Sequence, residues 1–149
     1  MNYTIGIDLG GTNTRIGLVA EDGKVIEVLK FKTYEHKELN DFVETLSDNI
    51  VLIVQKHNLP KESIKVGIGA PNGNYYAGTI EQAPNLPFKG IVPLVDLLKE
   101  SLKKKSYSAE VVLTNDANAA AMGEKIYGKA KNVRDFVMIT LGTGVGSGI

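Results

Sequence analysis

The stretch at residues 5–18 constrains the fold of this chain more than any other part of the sequence. An apolar run ends in Asp8, and apolar residues resume after a small turn that contains Gly10, Gly11 and Thr12. This pattern predicts two antiparallel strands joined by a tight turn. Glycines let backbone N–H groups converge on an anion. The turn is therefore either a phosphate cradle, with a Mg2+ ion between Asp8 and the phosphate, or an ordinary hairpin.

Composition narrows the class of protein. The 149 residues can bury a core, and one domain is the default expectation for this length. The formal net charge of +0 argues against nucleic-acid binding as the main function. The absence of cysteine excludes disulfides and thiolate metal sites within the chain. We see no targeting segment and no apolar run long enough to span a membrane, so we expect a cytoplasmic protein.

Hydrophobic periodicity predicts a mixed sheet with helices on both faces. The predicted order is βββαβαβα, followed by one strand and the start of another. Strands are predicted at residues 2–9, 12–20, 24–33, 64–69, 110–114 and 135–141. Helices are predicted at residues 37–58, 92–104 and 117–128, and a small excursion or hairpin is predicted at 74–83. His36 and His57 fall at the polar side of the first helix, which favours a surface role over metal binding.

Two segments of the sequence resemble each other. Residues 3–12 and 136–144 are both apolar strands that run into Leu-Gly and a turn of glycine and threonine. The similarity is either chance or the trace of two related domains. We favour duplication, with an N-terminal domain at residues 1–133 and the start of a second at 134–149. Because the last eight residues stop within a predicted strand, we expect the chain to be a fragment.

Four stretches that could carry chemistry each follow a predicted strand. They are residues 8–12, residues 69–73 together with Asn85, the pair Asn115-Asp116, and residues 142–146. Ligands gather at the carboxyl ends of strands in open α/β sheets, so two glycine turns could hold a nucleotide polyphosphate between them. Neither turn has the lysine of a P-loop, and no G-x-G-x-x-G opens a helix. Walker-type and Rossmann sites are therefore disfavoured.

Asp116 has two interpretations. It follows an apolar strand and precedes a helix, so its carboxylate could act as a general base toward an attacking hydroxyl. Asn115 offers both a donor and an acceptor, which suits a sugar hydroxyl. Alternatively, one of the two residues simply caps the N-terminus of the helix that follows. Spacing alone favours the cap.

Three motifs together resemble those of the ROK family of repressors, open reading frames and sugar kinases. Residues 7–15 (IDLGGTNTR) resemble the family's first phosphate motif, and residues 115–121 (NDANAAA) are similar to its substrate-and-base motif. Residues 141–149 (LGTGVGSGI) resemble its second phosphate motif, and residues 83–86 (APNL) resemble the segment before the sugar pocket of its glucokinases. The resemblance implies a ribonuclease-H-like lobe of the actin-like ATPase superfamily.

The resemblance also implies ATP-dependent phosphorylation of a hexose, with glucose the leading candidate. Asp116 would be the catalytic base, and Asp8 would help to place Mg2+ through water. Sugar contacts are implied for Asn115, Asn85 and Gly73. Phosphate contacts are implied for Gly10, Gly11, Thr12, Thr143 and Gly144.

Other parts of the family's machinery would lie beyond residue 149. These are its later sugar ligands, most of the adenosine pocket and the cysteine-rich zinc motif. We therefore expect the 149-residue chain to be inactive alone and the whole protein to be a homo-oligomer that binds hexose and ATP.

Two alternatives stay open. One is a sugar-responsive transcriptional regulator of the same family, and the other is an actin-like or chaperone-like ATPase without a sugar substrate.

Overall fold

The computed structural model describes residues 2–141 and 145–148 of the chain. The elements are β1 (Tyr3–Leu9), β2 (Asn13–Ala20), β3 (Val25–Lys32), α1 (Leu39–Lys56), β4 (Ile64–Ala70), β5 (Gly73–Asn74), β6 (Thr79–Glu81), β7 (Ile91–Val92), α2 (Leu94–Lys104), β8 (Ala109–Asn115), α3 (Asp116–Ile126), β9 (Met138–Leu141) and β10 (Val145–Gly148). The predicted order of elements is confirmed. The start of the predicted strand at 135–141 is wrong, because pairing with β10 reaches back only to Met138.

A five-stranded sheet forms the centre of the molecule, with the strand order β3-β2-β1-β4-β8. The hairpins β1–β2 and β2–β3 are antiparallel, whereas β4 pairs parallel with both β1 and β8. The predicted mixed sheet is therefore confirmed. Since β1, β4 and β8 run in the same direction, their carboxyl ends lie along one edge of the sheet.

Helices pack on both faces of this sheet. Alternate residues of β1 (Ile5, Ile7 and Leu9) are buried in the main core, which includes the apolar stripes of α1 and α2. On the other face, α3 lies so close to β4 that a Cβ at Gly69 would be 3.2 Å from that of Ala119. A glycine at this position therefore allows α3 to begin directly above the end of the sheet.

Two smaller sheets complete the described part of the chain. Strands β5, β6 and β7 form a three-stranded excursion between β4 and α2, which confirms the predicted excursion. Strands β9 and β10 form a separate hairpin, and Gly148 approaches Ala117 and Ala121 of α3. The domain boundary near residue 134 stays a prediction. None of the described helices combines the length and apolar character needed to cross a membrane.

Both histidines bind carboxylates at the ends of α1. The Nδ1 atom of His36 lies 2.6 Å from an Asp41 oxygen, and Nε2 of His57 lies 2.6 Å from a Glu27 oxygen. Glu27 also accepts a hydrogen bond from Lys56, so the C-terminus of α1 is tied to β3. The two histidines therefore have local structural roles, in half-buried positions rather than on an open surface.

Candidate active site

A cleft of about 480 Å3 lies at the carboxyl edge of the parallel strands. Parallel pairing of β1, β4 and β8 brings the segments that follow them together, and the β9–β10 hairpin approaches from the side of α3. The residues that line the cleft are Gly10, Gly11, Thr12, Pro71, Asn72, Asn85, Asn115, Asp116, Val145 and Gly146. All four stretches singled out in the sequence contribute to this one cleft.

The turn between β1 and β2 is held by backbone hydrogen bonds. The N–H of Gly10 donates to the carbonyl of Asn13 at 3.0 Å, and the carbonyl of Thr12 accepts from the N–H of Thr33 at 3.0 Å. Gly11 lies directly against the backbone of Asn85, so that a Cβ at Gly11 would overlap the Asn85 carbonyl oxygen. The turn and the loop that carries Asn85 are therefore in contact without any intervening side chain.

Residues 83–88 form an irregular loop that presents Asn85 to solvent. Three of its side chains are buried in the main core: Ala83, Leu86 and Phe88. The ring centroids of Phe88 and Phe42 are 4.9 Å apart. The loop is closed at its base by the Gln82 N–H, which donates to the carbonyl of Gly90 at 2.9 Å. Asn85 is thus an exposed residue in a loop whose flanking side chains are buried in the core.

Asn115 caps α3, as spacing alone favoured. Its Oδ1 accepts hydrogen bonds from the N–H groups of Ala117 at 3.0 Å and Asn118 at 3.4 Å. Asp116 is the first residue of α3, and its Oδ1 also accepts from the N–H of Ala117, at 2.8 Å. The cap uses only the acceptor of the Asn115 amide, so its Nδ2 donor is available to a ligand. The exposed Asp116 carboxylate has a second oxygen that can face the cleft.

Asp8 lines a larger cavity of about 840 Å3 beside α3, not the cleft itself. Asp116 lines both spaces, and Arg15 also lines the larger one. Asp8 stands opposite Arg15 in the β1–β2 register, and the Arg15 guanidinium donates to its carboxylate at 3.4 Å. Gly69 is the cross-strand partner of Asp8 on its other side. Asp8 is thus close in sequence to the glycine turn at residues 10–12 but faces α3.

A family model described as "ROK family" matches residues 4–149, which is nearly the whole chain. The chain belongs to the ROK family. The glucokinase of Thermotoga maritima is 36% identical over 97% of this chain and 43% of its own length. A xylose repressor of Caldicellulosiruptor bescii is also 36% identical, over 97% of this chain and 35% of its own length.

The structural comparison gives the same family. A ROK glucokinase from Streptomyces griseus, solved with glucose and AMPPNP, superposes with a TM-score of 0.73 at 32% identity over 98% of this chain and 43% of that protein. The predicted fold class, the ribonuclease-H-like lobe of the actin-like ATPase superfamily, is thereby confirmed. This ROK chain spans less than half the length of the curated glucokinases it matches.

Two carboxylates, Asp8 and Asp116, could contact a Mg2+ ion beside α3. No group of three or more His, Cys, Asp or Glu side chains within residues 2–141 and 145–148 is arranged to hold a metal ion. Mg2+ keeps several waters and commonly uses one or two carboxylates together with substrate phosphates. Asp8 and Asp116 are two exposed carboxylates that line one cavity.

Some of the predicted site residues fall outside the cleft. Gly73 does not line it; its backbone packs on β8, where a Cβ would lie 2.5 Å from the Thr114 carbonyl oxygen. Thr143 and Gly144 lie outside the described residues. The binding roles of these three residues stay predictions, as do those of the predicted residues that line the cleft, and neighbouring Val145 and Gly146 also reach the cleft.

Sequence reasoning missed two cations next to the predicted site residues. Arg15 pairs with Asp8 across a hairpin, and this contact could have been anticipated by counting the register back from the turn. Lys89 donates to carbonyls of the Asn85 loop. No local pattern indicates the second contact, because it depends on how the loop folds back on itself.

Proposed function

We propose that this chain is the phosphate- and sugar-binding part of an ATP-dependent hexose kinase, with glucose as the first candidate substrate. The observation that carries the proposal is the cleft itself, where the glycine turn, Asn85 and the Asn115-Asp116 pair converge. Glucokinases among the relatives support the same activity. Because the chain spans less than half of those relatives, the activity is proposed for the whole protein.

In the proposed reaction each group of the cleft has one task. Backbone N–H groups of the turn other than that of Gly10, which donates to Asn13, bind phosphate oxygens. The Nδ2 donor of Asn115 and the amide of Asn85 bind sugar hydroxyls. The Asp116 carboxylate accepts the proton of the sugar hydroxyl that attacks the terminal phosphorus. Mg2+ would neutralise developing charge on the phosphates. Phosphoryl transfer depends mainly on such positioning and charge stabilisation.

Replacing Asp116 in the whole protein tests this proposal. Asp116→Asn keeps an oxygen that can accept from the Ala117 N–H but removes the base. We expect kcat to fall by a factor on the order of 10² to 10⁴ with sugar binding largely retained. The measurement is a coupled assay for ADP release with glucose, combined with calorimetric titration of glucose. Retained turnover would contradict the role of Asp116 as base.

Asp96 supplies a matched control, because it is also an exposed aspartate in the first turn of a helix but lies outside the cleft. Asp96→Asn should leave kcat within about twofold of the unmodified protein, as surface substitutions generally have small effects. A comparable loss in both variants would point to a helix-terminus effect instead of base catalysis.

A sugar-responsive transcriptional regulator is the second candidate, because xylose repressors match the chain as extensively as the glucokinases do. The two candidates differ in one observable. A regulator would bind a sugar in the cleft without sugar-dependent ADP release, whereas a kinase would show both. Screening hexoses and pentoses by thermal shift, followed by the coupled assay on each sugar that binds, separates them.

A further inference from the structure

Lys89 lies at the end of the loop that presents Asn85. Its Nζ atom donates to the carbonyl of Pro84 at 3.0 Å and to the carbonyl of Leu86 at 3.0 Å. These carbonyls belong to the residues immediately before and after Asn85. An ammonium group carries three donors and no acceptor, so it can bind both carbonyls and still reach water. The chain therefore curls around Lys89 with Asn85 at the outside of the curl.

The opposite side of Asn85 is in contact with the phosphate turn. Its carbonyl oxygen lies against Gly11, where no side chain intervenes. The flanking loop residues are fixed independently by burial of Ala83, Leu86 and Phe88 in the core. Within this anchored loop, the backbone of Asn85 itself contacts Gly11 on one side, and its two neighbours are bound by Lys89.

We propose that Lys89 is a positioning residue for the sugar, acting by holding the backbone of Asn85 in the orientation that points its side chain into the cleft. This inference rests on the proposed function, in which Asn85 binds a sugar hydroxyl. Lys89 itself does not line the cleft, and its effect is transmitted through the carbonyls of Pro84 and Leu86. Hydrogen bonds from a charged donor are stronger than neutral ones, which suits this holding role.

Two substitutions in the whole protein test the proposal. Lys89→Met keeps an unbranched side chain as far as Cε and removes the ammonium, and we expect it to raise KM for the sugar about fivefold, the size expected for one net hydrogen bond. The kcat and the KM for ATP should change less than about twofold, because the turn and Asp116 are untouched. Lys89→Arg keeps donors for both carbonyls and should restore most of the sugar affinity.

Lys99→Met is the matched control, since Lys99 is an exposed lysine on α2 outside the loop. It should leave all three kinetic constants unchanged. An unchanged sugar KM in Lys89→Met, or an equal loss of kcat and of both affinities, would overturn the proposal. If the unmodified protein shows no sugar-dependent turnover or binding, the proposed function fails instead, and the two failures are distinguishable.

A structural measurement on the 149-residue chain is independent of any activity. In Lys89→Met, NMR backbone shifts of residues 84–86 should change and the amide exchange of Asn85 and Leu86 should accelerate, while residues 10–13 of the glycine turn change little. Shifts that match those of the unmodified chain would show that the ammonium does not hold the loop, and the proposal would be wrong.

Discussion

Gly11 shows how one missing side chain can connect two parts of a site. The β1–β2 turn belongs to the proposed phosphate site, and Asn85 belongs to the proposed sugar site. Because Gly11 has no Cβ, the backbones of the two segments are in direct contact. A substitution at Gly11 therefore has to displace the Asn85 loop or the turn, so a change made within the proposed phosphate site can reach the proposed sugar site.

We predict that Gly11→Ala weakens sugar binding even when no nucleotide is present. The added methyl group would overlap the Asn85 carbonyl, so the Asn85 loop has to shift. We expect this shift to reduce the affinity for the sugar about tenfold. The measurement is glucose titration of the whole protein by calorimetry without ATP. Gly10→Ala is the control variant. Its added methyl group would contact the Asn13 carbonyl at 3.0 Å, within the turn, and not the Asn85 loop. Equal sugar affinity in the Gly11 variant and the unmodified protein would contradict the prediction.

At the scale of elements, four hydrogen-bonded polar residues lie within the apolar contact between α1 and α2. We call Ser47, Ser101, Glu44 and Lys105 the polar seam. Ser47 and Ser101 are buried and hydrogen-bonded to each other at 2.8 Å. Ser101 also donates to Glu44, whose other oxygen accepts from Lys105 at 2.9 Å. The Lys105 hydrogen bond, followed by that of Ser101, lowers the pKa of Glu44 from its ordinary value of 4.5. The seam thus joins the two helices most firmly when Glu44 is ionised.

We predict a pH-dependent contribution of Glu44 to stability. Because its pKa is lower in the folded state than in the unfolded state, the contribution is present above about pH 4.5 and is lost as the pH falls through the folded-state pKa. Glu44→Gln should therefore melt slightly lower than the unmodified chain at pH 7 and lose less of its Tm between pH 5 and pH 3. The effect is modest, since about half of the Glu44 side chain is exposed.

Circular-dichroism melts across that range measure this effect. Glu62→Gln is a suitable control, because Glu62 is an exposed glutamate in the loop between α1 and β4. Parallel curves for Glu44→Gln and the unmodified chain would show that the seam does not contribute to acid sensitivity.

At the scale of the whole molecule, the sheet face on the α3 side carries a row of glycines. Gly17, Gly6 and Gly67 are aligned in register across β2, β1 and β4, and the row continues into Val28 at one end and Val112 at the other. All five residues line the cavity of about 840 Å3. The two valines are about half exposed, so the row is a shallow apolar trough between two ridges.

We predict that filling this trough stabilises the 149-residue chain. Among the described residues beyond its chain neighbours, no heavy atom lies within 4 Å of a Cβ placed at Gly67. Gly67→Ala should therefore raise the free energy of unfolding by about 0.5–1 kcal/mol, because alanine loses less backbone entropy on folding. Gly73→Ala should do the opposite, since its methyl group would collide with the Thr114 backbone. Urea unfolding of both variants measures the two effects, and a destabilised Gly67 variant would contradict the prediction.

Local patterns in the sequence were sufficient to predict the order of the elements and which segments line the cleft. Apolar periodicity depends only on near neighbours, so it predicted the β1–β2 hairpin, the three helices and the excursion after β4. Parallel strands end at a common edge, so the segments after β1, β4 and β8 could be expected to meet. The turn at residues 10–12, which was equally consistent with a plain hairpin, is now observed at the edge of a shared cleft with Asp116.

Only the tertiary structure decided the contacts between distant segments and the faces on which side chains lie. These include the contact of Gly11 with Asn85, the hold of Lys89 on the Asn85 loop, and the position of Asp8 on the α3 side of the sheet. The start of β9 belongs with them, because a strand extends only as far as its partner allows. Such contacts depend on how loops close and how elements pack, and periodicity within a single element carries no information about either.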